Sequence, residues 1–497
     1  MVFCGKASRS CANCRAVKRR CDQKLPQCGQ CLRLRENCPG YRDEWDLVFR
    51  NQTDHIIKRS KTKWAKRSAV SAPTPVKASG LPLTRRLSPN VDEIGVNYFL
   101  HNFVTGGQAP SRGYLNYVPS VYLAGGEHPT LLASMAAVGL VALANATQQP
   151  ELAGQAQAKY SEAIRQVNMA LASPVDSVKD STLLSVISLG VFERISGHES
   201  WIQHVQGAAA LVVARGKTQF SSPTAIRMFA QVRADLVLAC LYVATPFPRD
   251  MLELQDEAAL HTDTSCPLWL LGVASTRCTN LLMRVKKNYL DGAVPWSKFL
   301  EEAIVVERDF EYALKLLALQ EPYTTIQEDS GELDPNIAYH GRFDLYHDCW
   351  AIKFWNNSRS VLMILGEILC FLLNQALLAP DLVPETREPL SVKLQETLQT
   401  MSKLGTDVLA TVPQVLKLVS SASGAPRPPV DLTFHGSVSG GYMLAWWLYT
   451  VGKCVVTTSE ARKWIIHRLQ HIGQKTGVSI AAELVEDIVQ IDEWVDH

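Results

Sequence analysis

Six of the seven cysteines in the first 38 residues repeat their own spacing: Cys11-x2-Cys14-x6-Cys21 and then, six residues on, Cys28-x2-Cys31-x6-Cys38. Thiols are small apolar groups that ordinarily go inside. Yet Arg15, Lys18, Arg19 and Arg20 stand between Cys14 and Cys21. Something must gather the sulfurs while the cations stay in water. A Cys-x2-Cys pair folds two sulfurs onto one side of a turn, which suits tetrahedral zinc. Three thiolates per half fall one short of a closed tetrahedron, so two Zn2+ ions can be satisfied by six sulfurs only if two are shared. The repeat symmetry makes Cys11 and Cys28, the first cysteine of each half, the natural bridges. Two zincs and six thiolates leave a net charge of −2, which the nearby cations offset.

A disulfide framework and a pair of independent zinc sites are the competing explanations. The N-terminal "MVFCGKASRS" has no apolar core of a secretory signal, so a reducing intracellular compartment is expected, which disfavours cystines. Independent sites lack two ligands, and His55 lies too far downstream to supply one. Cys4 falls outside the repeat and is expected to be a free thiol. Cys240, Cys266, Cys278, Cys349, Cys370 and Cys454 are scattered and read as ordinary small hydrophobes.

The array, with "CRAVKRRCD" (14–22), Pro26 in "KLPQC" and "CPGYRDEWDLVFRN" (38–51), resembles the fungal Zn2Cys6 binuclear cluster family of transcription factors. The resemblance implies duplex DNA as partner and a CGG-type triplet read by each head. It places Lys18 on the family's DNA-reading lysine and Pro26 on the proline joining the two halves. The residues agree. A short helix between Cys14 and Cys21 would present Arg15, Lys18 and Arg19 on nearby faces, with Lys18 reaching guanine in the major groove. Arg15, Arg19, Arg20, Lys24, Arg33 and Arg35 would grip phosphates, adding affinity rather than discrimination. An RNA- or protein-docking zinc module is the alternative; residues 4–38 contain no Phe, Tyr or Trp to stack on unpaired bases, which favours DNA.

The charge distribution points the same way. The chain of 497 residues has a net charge of only +2, but residues 1–67 hold 17 Lys and Arg against 6 Asp and Glu, while the remainder holds 33 against 42. A basic head on a mildly acidic body suggests a polyanionic partner for the head. Residues 39–67 form a basic stretch. Trp45, Phe49, Gln52, Ile56, Arg59 and Lys63 make a seam that is apolar only in its first half, which leaves a homodimerising coiled coil and a plain amphipathic helix both open. "KRSKTKWAKR" (58–67) reads as a nuclear import signal with some DNA contribution. Residues 68–90, with four Pro, four Ser and no acidic or aromatic residue, read as a flexible linker.

From residue 91 to 497 the apolar spacing is helical, as in "STLLSVISLGVFERIS" and in "WIQHVQGAAALVVARG", the latter ending at Gly216. The expected fold is all-α: a small binuclear zinc cluster (11–38) joined through a linker to a large helical domain. "SWIQHVQGAAALVVARG" (200–216) also resembles the fungal-specific transcription factor domain, through Trp201, His204, Gly207, Ala208, Leu211, Arg215 and Gly216. Trp201, His204, Ala208 and Leu211 are expected on one packed face, with His204 a satisfied core histidine rather than a ligand. The apolar run at 360–379 contains Glu367, Asn374 and Gln375 and reads as a core helix, so no membrane partner is expected.

No phosphate-cradling loop, zinc-protease helix or nucleophile elbow is present, so no enzyme is expected. The last seventeen residues mix six acids with Leu, Val, Ile and Trp494. They could serve an activator by meeting coactivators, or pack on the body through Ile480, Leu484, Ile488, Ile491 and Val495. The expectation is a nuclear transcription regulator of RNA polymerase II genes. The resemblance adds that many such regulators control one pathway or a secondary-metabolite gene cluster.

Overall fold

The computed structural model describes residues 10–24, 27–40, 90–104, 114–124, 128–197, 200–292, 294–328, 334–380, 382–419, 438–476 and 478–495. Cys4, Pro26, the seam and import signal beyond residue 40, the linker up to residue 89 and the side chains of Ile491, Trp494 and Val495 lie outside the described residues. The chain divides into two compact units, one holding the cysteine repeat and the other beginning at Val91.

The first unit has two short helices, α1 (Ala12–Ala16) and α2 (Gly29–Arg33), one in each half of the repeat. Of the six cysteines of the repeat, Cys11, Cys14, Cys28 and Cys31 are fully buried, and Cys21 and Cys38 pack against them. A core this small cannot hold a fold by apolar burial alone.

The second unit is helical, as the apolar spacing predicts. Its helices are α3 (Val91–Phe103), α4 (Val118–Ala124), α5 (Pro129–Thr147), α6 (Pro150–Leu171), α7 (Asp180–Ser196), α8 (Trp201–Arg215), α9 (Pro223–Val243), α10 (Arg249–Ala259), α11 (Pro267–Asp291), α12 (Trp296–Gln320), α13 (Cys349–Leu377), α14 (Pro384–Leu409), α15 (Val412–Val415), α16 (Val438–Lys453), α17 (Ser459–Thr476) and α18 (Ile480–Val495). The punctuation is local. Helices α5, α6, α9, α11 and α14 start on proline, whose missing N–H costs nothing in the first turn. Gly197, Gly216 and Gly292 end α7, α8 and α11 at positive φ.

Helix α7 is the axis of the body. Every residue from Ser181 to Ile195 is buried. Two of its buried hydroxyls are satisfied within the helix, Ser185 donating to the Ser181 carbonyl at 2.7 Å and Ser188 to that of Leu184 at 2.8 Å, while Thr182 donates to the Asp176 carbonyl ahead of it at 2.6 Å. Helices α5, α8 and α6 pack around it. On α8 the buried face is Trp201, Val205, Ala208, Ala209 and Val212. His204 and Leu211 sit at its edge, and His204 is paired with Tyr160 at 3.2 Å and stands 3.9 Å from Glu193. Helices α5 and α13 are long and apolar enough to cross a membrane, and 72% and 50% of their apolar windows are buried inside this fold.

One element departs from the helical expectation. β1 (Tyr323–Gln327) and β2 (Arg342–Tyr346) form an antiparallel pair with Tyr323 opposite Tyr346. The "QEDSGELDPN" segment read as a loop connects them. Their rings stack at 4.6 Å, an aromatic cross-strand pair of the kind that stabilises short hairpins.

Candidate metal centre and nucleic-acid interface

The two halves of the repeat fold alike. In each, the backbone N–H of the second cysteine points at the sulfur of the first: Cys14 N to Cys11 Sγ at 3.4 Å and Cys31 N to Cys28 Sγ at 3.3 Å. This turn brings both sulfurs of each Cys-x2-Cys to one side. The helix then stops early. α1 ends at Ala16 and Lys18 takes a left-handed conformation, φ +53°; α2 ends at Arg33 and Arg35 does the same, φ +55°. The next N–H closes each turn, Arg19 N on the Cys14 carbonyl and Glu36 N on that of Cys31, both at 2.9 Å. These are the bonds of a Schellman-type helix end.

The expected helix carrying Arg15, Lys18 and Arg19 is therefore corrected. Arg15 lies within α1, but Lys18 and Arg19 lie beyond it in the reversal. The physical reason is the third cysteine. A helix continued to Cys21 would rise about 1.5 Å per residue away from the cluster. The chain must turn back to return that sulfur.

The result is a compact sulfur array. Cys11, Cys14, Cys21 and Cys28 place their sulfurs within 4.8 Å of one another, and so do Cys11, Cys28, Cys31 and Cys38. The two quartets share Cys11 and Cys28. Cys11 Sγ lies 3.7 Å from both Cys28 Sγ and Cys31 Sγ, and Cys14 Sγ lies 3.7 Å from Cys28 Sγ. Sulfurs at about 2.3 Å from a tetrahedral zinc stand about 3.8 Å apart, whereas a disulfide needs about 2.05 Å. The spacing fits metal and does not fit cystine.

The surroundings treat the sulfurs unequally, lowering Cys14 and Cys38 and raising the two shared thiols, Cys11 and Cys28. Backbone N–H groups of Cys28 and Gly40 hold the Cys38 thiol down to about 7. Burial opposes ionisation of Cys14, but the Arg19 guanidinium and the neighbouring thiols bring it below the usual thiol value. Burial pushes Cys11 well up, the ordinary fate of a buried thiol that no cation faces. Asn13 Nδ2 reaches across to Cys31 Sγ at 3.8 Å and to the Asn37 carbonyl at 3.0 Å, tying one half to the other.

Outside this array the cations are displayed. Lys18, Arg20, Lys24, Arg33 and Arg35 are exposed. Arg19 differs: it is half-buried and ion-paired to Glu36. No signal in the sequence separated it from its neighbours, because its partner lies in the other half.

Residues 9–46 match the fungal Zn(2)-Cys(6) binuclear cluster domain, and residues 96–236 match the fungal specific transcription factor domain. The chain carries the two domains of a fungal zinc-cluster transcription factor. Its head is a zinc-binding, DNA-binding domain, and the transcription factor domain runs from within α3 to within α9. No curated protein matches the chain, and no solved structure does.

Proposed function

We propose that the protein is a nuclear, sequence-specific regulator whose head holds two zinc ions. One would sit on Cys11, Cys14, Cys21 and Cys28, the other on Cys11, Cys28, Cys31 and Cys38. The observation that carries this reading is the pair of sulfur quartets sharing Cys11 and Cys28. Zinc supplies folding free energy that so small a core lacks. With the sulfurs clamped, the turn after α1 becomes a rigid post.

Lys18 stands on that post, exposed and at a backbone conformation that a lysine adopts only where its surroundings impose it. We assign it the base contact, to guanine O6 and N7 of a CGG-type triplet in the major groove. Arg20, Lys24, Arg33 and Arg35 take phosphates, Arg15, whose side chain lies outside the described residues, is assigned the same role, and Arg19 is held back by Glu36. Arg35 occupies in the second half the position Lys18 has in the first, so one half reads while the other grips. The two matched domains support control of transcription, which we assign to polymerase II genes. A pathway-specific target, such as a secondary-metabolite gene cluster, is supported by the resemblance alone.

Binding of the full chain to a duplex containing CGG, against a scrambled duplex and a single-stranded RNA, tests this reading. Lys18→Ala should cost about 1–3 kcal/mol and loosen preference at the triplet. Unchanged affinity and preference would remove Lys18 from the interface, and tighter RNA binding would replace DNA as the partner.

A further inference from the structure

The body contains a cavity of about 470 Å3, within the size range of small-molecule sites. Helices α7, α9, α11, α13 and α16 all contribute to its wall, so it joins the matched transcription factor domain to the helices beyond it. Much of the lining is aromatic, including Trp269, Trp350, Trp446 and Trp447. Tyr242 lines it and is 40% exposed, so the cavity reaches the surface.

Its charge is one-sided. Four lining residues are cations, Arg194, Arg227, Arg233 and Lys353, and Asp235 is the one anion among the lining residues. Lys353 is 8% exposed, and its ammonium meets an amide oxygen, Gln231 Oε1 at 2.7 Å, and the face of Tyr114 at 4.6 Å. Arg233 is 3% exposed; it meets Gln255 Oε1 at 3.1 Å and lies over Trp269 at 4.7 Å. Among the described residues no carboxylate comes within 4.0 Å of either. Arg194 donates to Tyr442 and reaches Asp235 only at 3.5 Å, and its buried Nε has no partner. Buried cations are ordinarily matched by anions, since an unmatched one is costly. Burial lowers Lys353 to about 8 and Arg233 to about 10, in keeping with the lack of a carboxylate beside either.

We propose that this cavity binds a small organic anion, a planar ring bearing a carboxylate, sulfonate or phosphate, with Lys353 and Arg194 receiving the charge and the tryptophans receiving the ring. The site owes nothing to the zinc head. An anion there would complete the charge set that Asp235 leaves unbalanced, and it would brace α7 and α9 against α13 and α16.

The test uses the full chain and a matched pair of fluorescent probes, 1-anilinonaphthalene-8-sulfonate and its uncharged analogue N-phenyl-1-naphthylamine. The sulfonate should bind saturably and more tightly than the neutral amine. Lys353→Met should weaken the sulfonate by about tenfold and leave the amine within about twofold, the signature of a lost charge partner in an intact cavity. Ala234→Trp fills the space from an exposed lining position and should weaken both probes. Lack of saturable sulfonate binding, equal affinity for the two probes, or binding indifferent to both substitutions would overturn the proposal.

Discussion

Arg19 and Glu36 occupy the same position in the two halves of the cysteine repeat, seventeen residues apart, and are ion-paired across it. Equivalent backbone positions thus carry opposite charges, and the pair straps one half to the other. It also takes one cation out of the set that can meet phosphate. Glu36→Gln should release it. Each additional phosphate contact steepens the dependence of log K on log salt by about 0.9. DNA titrations of Glu36→Gln between low and moderate salt should show tighter binding and a slope steeper by about that amount. An unchanged slope would mean that Arg19 already contacts DNA while paired.

Sharing of Cys11 and Cys28 makes the six sulfurs unequal. Loss of Cys38 opens one quartet, whereas loss of Cys11 opens both. Native mass spectrometry should find the head of Cys38→Ser retaining one zinc and that of Cys11→Ser retaining none. Since a structural zinc contributes about 10–16 kcal/mol to such a fold, chelation should unfold the head and abolish DNA binding while leaving the helical body's melt in place. Equal zinc loss in the two variants would argue for unshared ligands.

The cysteine spacing was legible because it is a covalent ruler: six thiols within 28 residues can gather in few ways. The conformation at Lys18 was not, because nothing about a lysine announces φ +53°. The return of Cys21 imposes it. The body's helices could be read from apolar spacing and from proline and glycine punctuation. The Tyr323–Tyr346 hairpin could not, since each strand has five residues and β1 is largely exposed. The cavity was invisible for a different reason. Arg194 and Tyr442 meet across 248 residues of chain, and no local pattern anticipates such a contact.

Helices α3 and α5 cross at two glycines. A Cβ added at Gly139 would stand 1.7 Å from the Gly95 carbonyl oxygen. Backbone meets backbone there, so no rotamer change relieves the clash. Gly139→Ala should destabilise the body by about 3 kcal/mol, the upper range for overpacking. Gly154, just past the first turn of α6, meets nothing within 4 Å, so Gly154→Ala should stabilise by about 0.5–1 kcal/mol. Thermal melts of the two variants should move in opposite directions. If both rise, the crossing is looser than this packing requires.

Lys353 gives the body an unusual pH dependence. Burial lowers it from 10.5 to about 8, with Asp235 opposing the shift and Arg194 reinforcing it. Below pH 8 both folded and unfolded chains carry its proton, and the folded chain bears the whole penalty of a buried ammonium. Between about pH 8 and 10.5 the unfolded chain binds more proton than the folded one, so this penalty fades and stability rises with pH. At pH 7 the penalty is about 3 kcal/mol by the size of the shift. Lys353→Met removes it and should be more stable than the natural chain by about 1–3 kcal/mol, allowing for the lost bond to Gln231. The tyrosines facing the same space, Tyr114 and Tyr442, are held above their ordinary value of 10 by burial, so they work against folding only at higher pH. Denaturant titrations at pH 7.5 and 9.5 should therefore find the gap between variant and natural chain shrinking at the higher pH. A gap that stays constant would mean that Lys353 is compensated in the folded body.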